Sequence, residues 1–306
     1  MNETEKTALT EEIRRLKQQH NAVILAHNYV DGTIQDIADF CGDSLELSIK
    51  AKAVQAPVIV FCGVRFMAET AKLLSPGSIV LLPRSDSGCP MADMADAHEV
   101  AAFKAEHPDV LLVAYVNSTA AVKAHVDICC TSGNVEKVLR SIPADKKIMF
   151  LPDSNLGGNM MKKLNRPMAL WSGFCPTHNR VTVEMIENAR AAHPGALVLV
   201  HPECRPPVAE AADAALSTGG ILKYVRESDA KEFVIGTERG ILHRLIRENP
   251  DKTFYPLEPD MLCPDMKKIT LEDIRDALAG MKEQIRLPED LMAAAVRPIE
   301  AMLKLS

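Results

Sequence analysis

Three Cys-Pro dipeptides, Cys89-Pro90, Cys175-Pro176 and Cys263-Pro264, cut the chain into near-equal lengths of 86 (175 − 89) and 88 (263 − 175) residues. Each follows a short apolar run, IVLL, MALW or TFYPL, that reads as a strand. Two more landmarks keep this period. The apolar runs AVILAHNY (22–29), DVLLVAYVN (109–117) and ALVLVHPE (196–203) end in polar residues, and His27, Tyr115 and His201 are separated by 88 (115 − 27) and 86 (201 − 115) residues. A hydroxyl-rich turn follows each at 17 residues (44 − 27, 132 − 115, 218 − 201): Ser44 in GDSLELS, Ser132 in TSGNVEKVL and Thr218 in STGGILKYV. Identity between the segments is low, so the match is one of pattern. It marks one structural unit used three times.

Strand patterns alternate with helical ones. Each unit continues through VIVFCGVRFMAETAKLL, IMFLPDSNLGGNMMKKL or FVIGTERGILHRLI to its Cys-Pro, and a helical stretch follows: MADAHEVAAFKAEH, THNRVTVEMIENARAAH and TLEDIRDALAGMKEQI. Leu9, Ile13 and Leu16 give residues 5–19 the spacing of a surface helix. This alternation predicts an α/β fold of three similar αβα-sandwich units, with parallel sheets around a pseudo-three-fold axis and ligands at the carboxyl ends of the strands. The units are expected at 1–88, 89–174 and 175–264, with 265–306 docking back on the first. A (β/α)₈ barrel is the competing fold, and a three-fold period with more than eight strand signals weighs against it.

The remaining composition narrows the function. A formal net charge of −6, four Tyr, eight Phe and one Trp offer neither a basic field nor stacking platforms for nucleic acid. No apolar stretch approaches the roughly 18 residues of a membrane span, and MNETEKTALTEE lacks the apolar core of a signal peptide. The expectation is a soluble cytosolic protein with no nucleic-acid or membrane partner. In that reducing compartment eight cysteines read as ligands, nucleophiles or core residues rather than disulfides.

If matching strand ends face one cavity, His27, Tyr29, Tyr115, Asn117, His201 and Glu203 line it, near Ser44, Ser132, Ser217, Thr218 and the Cys-Pro loops. Singly, each has an ordinary structural use at a strand end; recurrence at one period argues for function. A Ser or Thr opening a helix brings a hydroxyl and free backbone N–H groups to the positive end of the helix dipole, which suits phosphate or carboxylate. Ordinary N-capping uses the same residues. Three such turns aimed at one cavity suggest a small polyanionic substrate, and neither a Walker A loop nor G-x-G-x-x-G is present. Cys41, Cys62, Cys129, Cys130 and Cys204 fall off the period and read as core. The periodic thiols of Cys89, Cys175 and Cys263 lack the C-x-x-C spacing of zinc ribbons and ferredoxins. Three soft thiolates on one axis favour an iron–sulfur cluster, with one of four irons left open as a Lewis acid.

The chain carries, in order, AHNYVDGTIQDIAD, GDSLELS, FCGVRFMAETAKLL, SGCPMADM, AYVNSTAAVKAHVDICCTSGN, FLPDSNLG, WSGFCPTH, HPEC, STGG and MLCPDMKKITLEDI, and in these blocks it resembles the quinolinate synthase family over almost its whole length. The resemblance implies a triangular three-unit fold and a 4Fe–4S cluster on Cys89, Cys175 and Cys263. It also implies condensation of iminoaspartate with dihydroxyacetone phosphate to quinolinate, with loss of phosphate and water, in NAD biosynthesis. The imine would come from a transient partner, an aspartate oxidase or dehydrogenase. The family motifs match Glu203, Tyr29, His27, Tyr115 and His201 to catalytic positions. His27, Ser44, Tyr115, Asn117, Ser132, His201, Glu203, Ser217 and Thr218 match substrate contacts. Within these sets, Glu203, Tyr29 and His27 are the expected proton-transfer group. His178, three residues after Cys175, either supports that ligand or makes a structural bond. Some relatives have a C-x-x-C around the third ligand, but here Met266 occupies that position, so disulfide control is not supported. Two other classes stay open: an iron–sulfur metabolite or redox sensor, for which no DNA-binding helix pair is seen, and a zinc-dependent or thiol hydrolase on a barrel.

Overall fold

A computed structural model describes residues 3–306. It contains three separate four-stranded sheets, all parallel and flanked by helices, which excludes the barrel. The first comprises β1 Ala22–His27, β2 Phe40–Gly42, β3 Val58–Cys62 and β4 Ile79–Leu81. The second comprises β5 Leu111–Tyr115, β6 Ile128–Cys130, β7 Ile148–Leu151 and β8 Ala169–Leu170, and the third β9 Leu197–Val200, β10 Ala214–Ala215, β11 Glu232–Gly236 and β12 Thr253–Pro256. Strand order is identical in all three: β2-β1-β3-β4, β6-β5-β7-β8 and β10-β9-β11-β12. The chain therefore reverses its direction of winding beside β1, β5 and β9. Ligands bind at such switch points, outside the carboxyl ends of the strands, and these three strands end at His27, at Tyr115 and just before His201.

The sequence pattern captures three strands per unit and misses β2, β6 and β10. These are two or three residues long, too short for a periodic signal. An aspartate preceding each one reveals them. The Oδ2 of Asp39 accepts the amide of Ile24 at 2.8 Å, that of Asp127 accepts Leu112 at 2.8 Å, and that of Asp213 accepts Val198 at 2.7 Å. Each aspartate also donates its own amide to the same central-strand residue. A cation outside completes each arrangement: Lys17, Lys104 or Arg190. The aspartates lie 88 (127 − 39) and 86 (213 − 127) residues apart, a fourth landmark on the period.

One expected helix, THNRVTVEMIENARAAH, breaks in two, and a short helix precedes another, MADAHEVAAFKAEH. Pro90 and Pro176, at the first helical position where the missing N–H is harmless, start short helices, Pro90–Asp93 and Pro176–Asn179. Asp96 and Thr182 then cap new helices, Ala97–Glu106 and Val183–Ala192. The turn at Ser132 does not open a helix directly. Asn134 folds back to accept the Thr131 amide at 2.7 Å, and the helix begins at Val135.

Phe61, Phe150 and Phe233 fill the cores on β3, β7 and β11. Beyond the third Cys-Pro, the helix Leu271–Gly280 packs on the helix Glu3–Gln19, and residues 283–285 pair antiparallel with the β4 edge. The last helix, Glu289–Leu303, also reaches the second unit, covering β6 and the helix Ala120–Lys123. Asp127→Ala strands the Leu112 amide inside the second sheet and should cost about 1–3 kcal/mol of unfolding free energy in urea titrations. An unchanged midpoint would show that the aspartate is not part of the frame.

Candidate active site

A cavity lies where the three units meet. His27, Tyr29 and Ser44 of the first unit line it, with Tyr115, Asn117 and Ser132 of the second and His201, Glu203 and Thr218 of the third. Cys89, Cys175 and Cys263 also line it. Among the expected site residues, Ser217 alone is absent from the lining. Its hydroxyl oxygen accepts the Gly220 amide at 3.0 Å and caps the helix Thr218–Glu227.

Glu203 is the centre of the polar network. It is buried, and its Oε1 accepts the Tyr115 hydroxyl at 2.6 Å while Oε2 lies 2.8 Å from His178 Nδ1. From His178 Nε2 the chain runs to Thr237 Oγ1 at 2.8 Å, then to the Tyr29 hydroxyl at 2.7 Å, and from there to Thr218 Oγ1 at 2.7 Å. Side chains of all three units thus form one continuous hydrogen-bonded line. Burial pushes the Glu203 carboxyl up, but the imidazoles of His201 and His178 and the bonds from His178 and Tyr115 outweigh it and hold the group below the usual carboxylate range. Burial, with the Glu203 charge nearby, pushes Tyr29 and Tyr115 well above the ordinary phenol range, so both are neutral donors.

The two strand-end histidines share one local geometry. His27 Nδ1 accepts the Tyr29 amide at 3.2 Å and His201 Nδ1 accepts the Glu203 amide at 3.3 Å. A neutral imidazole that accepts at Nδ1 carries its proton on Nε2. Burial lowers His27 to about 3 and His201 to about 4, so each presents a neutral Nε2–H donor.

The hydroxyl turns differ from expectation. The amides of Leu45 and Glu46 already donate to Asp43, and that of Gly219 donates to Asp43 Oδ2 across the seam between the first and third units. What remains for a ligand is chiefly hydroxyls. Asn117 Oδ1 is buried without a partner in the protein, an acceptor open to a ligand donor.

The thiols of Cys89, Cys175 and Cys263 are each partly exposed and directly followed by proline. Cys175 Sγ lies 3.2 Å from His178 Nδ1, which ties that thiol to the polar network. Burial raises all three, Cys89 to about 12, so a thiolate here calls for a bound cation. Cys62, Cys129, Cys130 and Cys204 are buried, as expected of core residues, and Cys41 is partly buried. Donor atoms of Cys175, His178 and Glu203 lie within 4.8 Å of one another, a second group able to hold a metal.

Three members escape the period. His178 is in the centre of the network, and Thr237 and Glu238 follow directly on β11. The polar TE after the apolar FVIG was the available signal.

With neutral imidazoles in the fold and an ordinary value of 6.5, the unfolded chain takes up protons first. The stability they carry is complete above about pH 6.5 and drains as pH falls toward 4 and then 3. Going from about pH 7 to about pH 5 should cost roughly 2 kcal/mol per imidazole, and a doubly substituted His27→Gln, His201→Gln protein should show a shallower slope. Equal slopes in denaturant titrations would contradict neutral histidines.

Residues 11–304 match the family model described as quinolinate synthetase A protein. The chain is 50% identical over 295 residues to a quinolinate synthase of Geobacter metallireducens, covering 96% of this chain and 97% of the relative. Identity to a quinolinate synthase of Pelobacter propionicus is 51% over 296 residues, with the same coverage of 96% and 97%. A quinolinate synthase of Thermodesulfovibrio yellowstonii is 50% identical over 296 residues, again 96% and 97%.

Proposed function

The chain belongs to the quinolinate synthetase A protein family, and on that premise we infer that it is a quinolinate synthase of NAD biosynthesis, joining iminoaspartate to dihydroxyacetone phosphate with release of phosphate and water. The observation that supports this most directly is that the three periodic thiols and the Glu203-centred hydrogen-bonded line share one cavity. A sensor has no use for such a line, and the relatives bear an enzyme's name, so the sensor reading is set aside. The hydrolase reading falls with the barrel.

Cys89, Cys175 and Cys263 are the residues that would hold a 4Fe–4S cluster, their soft thiolates suiting iron. When bound, the cluster supplies a Lewis acid at the iron that has no cysteine, for a hydroxyl or carbonyl oxygen of the substrate. The remaining work belongs to the chain. His27 and His201 donate from Nε2 to carboxylate or phosphate oxygens, and the hydroxyls of Ser44 and Ser132 and the amide of Asn117 complete the binding set. The Ser217 hydroxyl accepts the Gly220 amide and keeps its own proton to donate to the same groups. Glu203 acts as base toward the carbon beside the imine. Tyr115 donates to Oε1 and His178 Nδ1 to Oε2, so the proton is taken on the remaining lone pair of Oε2. Tyr29, a neutral phenol held by Thr237 and Thr218, lends its hydroxyl proton to a leaving hydroxyl, which departs as water. Positioned acid–base groups of this kind contribute about 10²–10⁴-fold.

A reducing cytoplasm suits eight free thiols. The class of partner that would supply the short-lived imine is an enzyme oxidising aspartate at its amine.

Anaerobic purification with iron, sulfide and zinc analysis tests the cluster. About four irons per chain are expected, lost in Cys89→Ala and in Cys263→Ala. Stoichiometric zinc retained in both variants would instead make Cys175, His178 and Glu203 a single-ion site and remove the cluster. Glu203→Gln should keep its iron and lose turnover by about a hundredfold or more; full activity would remove Glu203 from the proton-transfer role.

A further inference from the structure

The working residue just beyond each central strand sits between two carbonyls held by a single side-chain nitrogen. In the first unit Gln35 Nε2 lies within hydrogen-bond distance of three carbonyls, those of Asn28 and Val30, both at 3.0 Å, on either side of Tyr29, and that of Gly240 at 2.9 Å. In the second, Lys123 Nζ donates to Val116 at 2.8 Å and to Ser118, on either side of Asn117. In the third, Asn159 Nδ2 donates to Pro202 and Cys204, both at 2.8 Å, on either side of Glu203.

Gln35 and Lys123 are 88 residues apart (123 − 35), the separation of His27 and Tyr115, and both lie in the short helix after the strand. The third equivalent position, 86 residues on (209 − 123), is Ala209, which has no donor. Asn159 stands in from the helix Ser154–Leu164 of the second unit. Lys123 has no exposed surface and Gln35 only 3%, and burying such groups is costly unless their hydrogen bonds are used. Glutamine, lysine and asparagine share neither charge nor shape. The common element is a nitrogen bridging two carbonyls two residues apart, which fixes the backbone of the residue between them where the strand ladder has ended.

We propose that Gln35, Lys123 and Asn159 are positioning residues for the reaction inferred above, each clamping the backbone that aims Tyr29, Asn117 or Glu203 into the cavity. The proposal rests on that reaction, in which displacing a group by about 1 Å can cost up to a hundredfold.

Lys123→Met keeps the stem and removes both bonds. Lys123→Gln restores the amide that the chain itself uses at position 35. On cluster-loaded protein, calorimetry with quinolinate should show Kd raised on the order of tenfold by Lys123→Met and within about threefold of wild type for Lys123→Gln. Hydrogen exchange in peptides covering 115–119 gives a readout independent of the reaction, expected faster in Lys123→Met and unchanged in Lys123→Gln. Asn159→Ala, at a half-buried position less exposed to folding failure, should lower kcat on the order of tenfold with KM and iron content unchanged, and should lower the residual turnover of Glu203→Gln no further. A wild-type protein that binds no quinolinate would overturn the reaction and leave the exchange data to decide the clamp. Wild-type Kd and exchange in Lys123→Met, a Lys123→Gln protein as impaired as Lys123→Met, or additive losses for Asn159→Ala and Glu203→Gln would overturn the clamp.

Discussion

A buried carboxylate is the constraint on which the junction of the three units depends. Taking the Glu203 charge out of water costs several kcal/mol, and its own unit supplies only part of the compensation, through His178 and His201. The short bond to Oε1 comes from Tyr115 of the second unit, and the line beyond His178 ends at Tyr29 of the first. Parting the units would leave the charge short of a donor. The requirement that makes Glu203 a usable base therefore also holds the cavity shut around it.

Much of this was legible because parallel strands point their carboxyl ends one way. Once His27, Tyr115 and His201 were seen at one period, with cysteines and hydroxyls on the same period, their convergence followed from the geometry of α/β units. What stayed hidden is local. Asp39, Asp127 and Asp213 are ordinary surface letters until their carboxylates are seen on strand amides. Ser217 looks like Thr218 in sequence, yet one is a cap and the other joins the network. His178 sits four residues before Thr182, inside what reads as continuous helix, and only the break after Asn179 fixes its place beside Cys175 and Glu203.

The three units diverge in an ordered way. Where the need is set by the backbone alone, as at the strand-start aspartates, one residue type recurs three times. At the cavity-lining strand ends, His27, Tyr115 and His201, the residue type changes while the position holds. The carbonyl clamps show a third behaviour, in which even the position moves, from Ala209 to Asn159, because a hydrogen bond records only where its donor nitrogen is.

The antiparallel strip 283–285 along the β4 edge has a consequence for biosynthesis. The Leu82 amide donates to Glu283 at 2.9 Å and the Ile285 amide to Val80 at 2.8 Å, pairings some two hundred residues apart along the chain. During translation the third sheet can close on contacts already made, whereas the first sheet waits for the strip 283–285 and the second for the helix Glu289–Leu303, both synthesised after all three. The two units that emerge first are thus the last to be finished, and a ribosome that stops late releases a protein lacking walls of its first and second units rather than a dispensable tail.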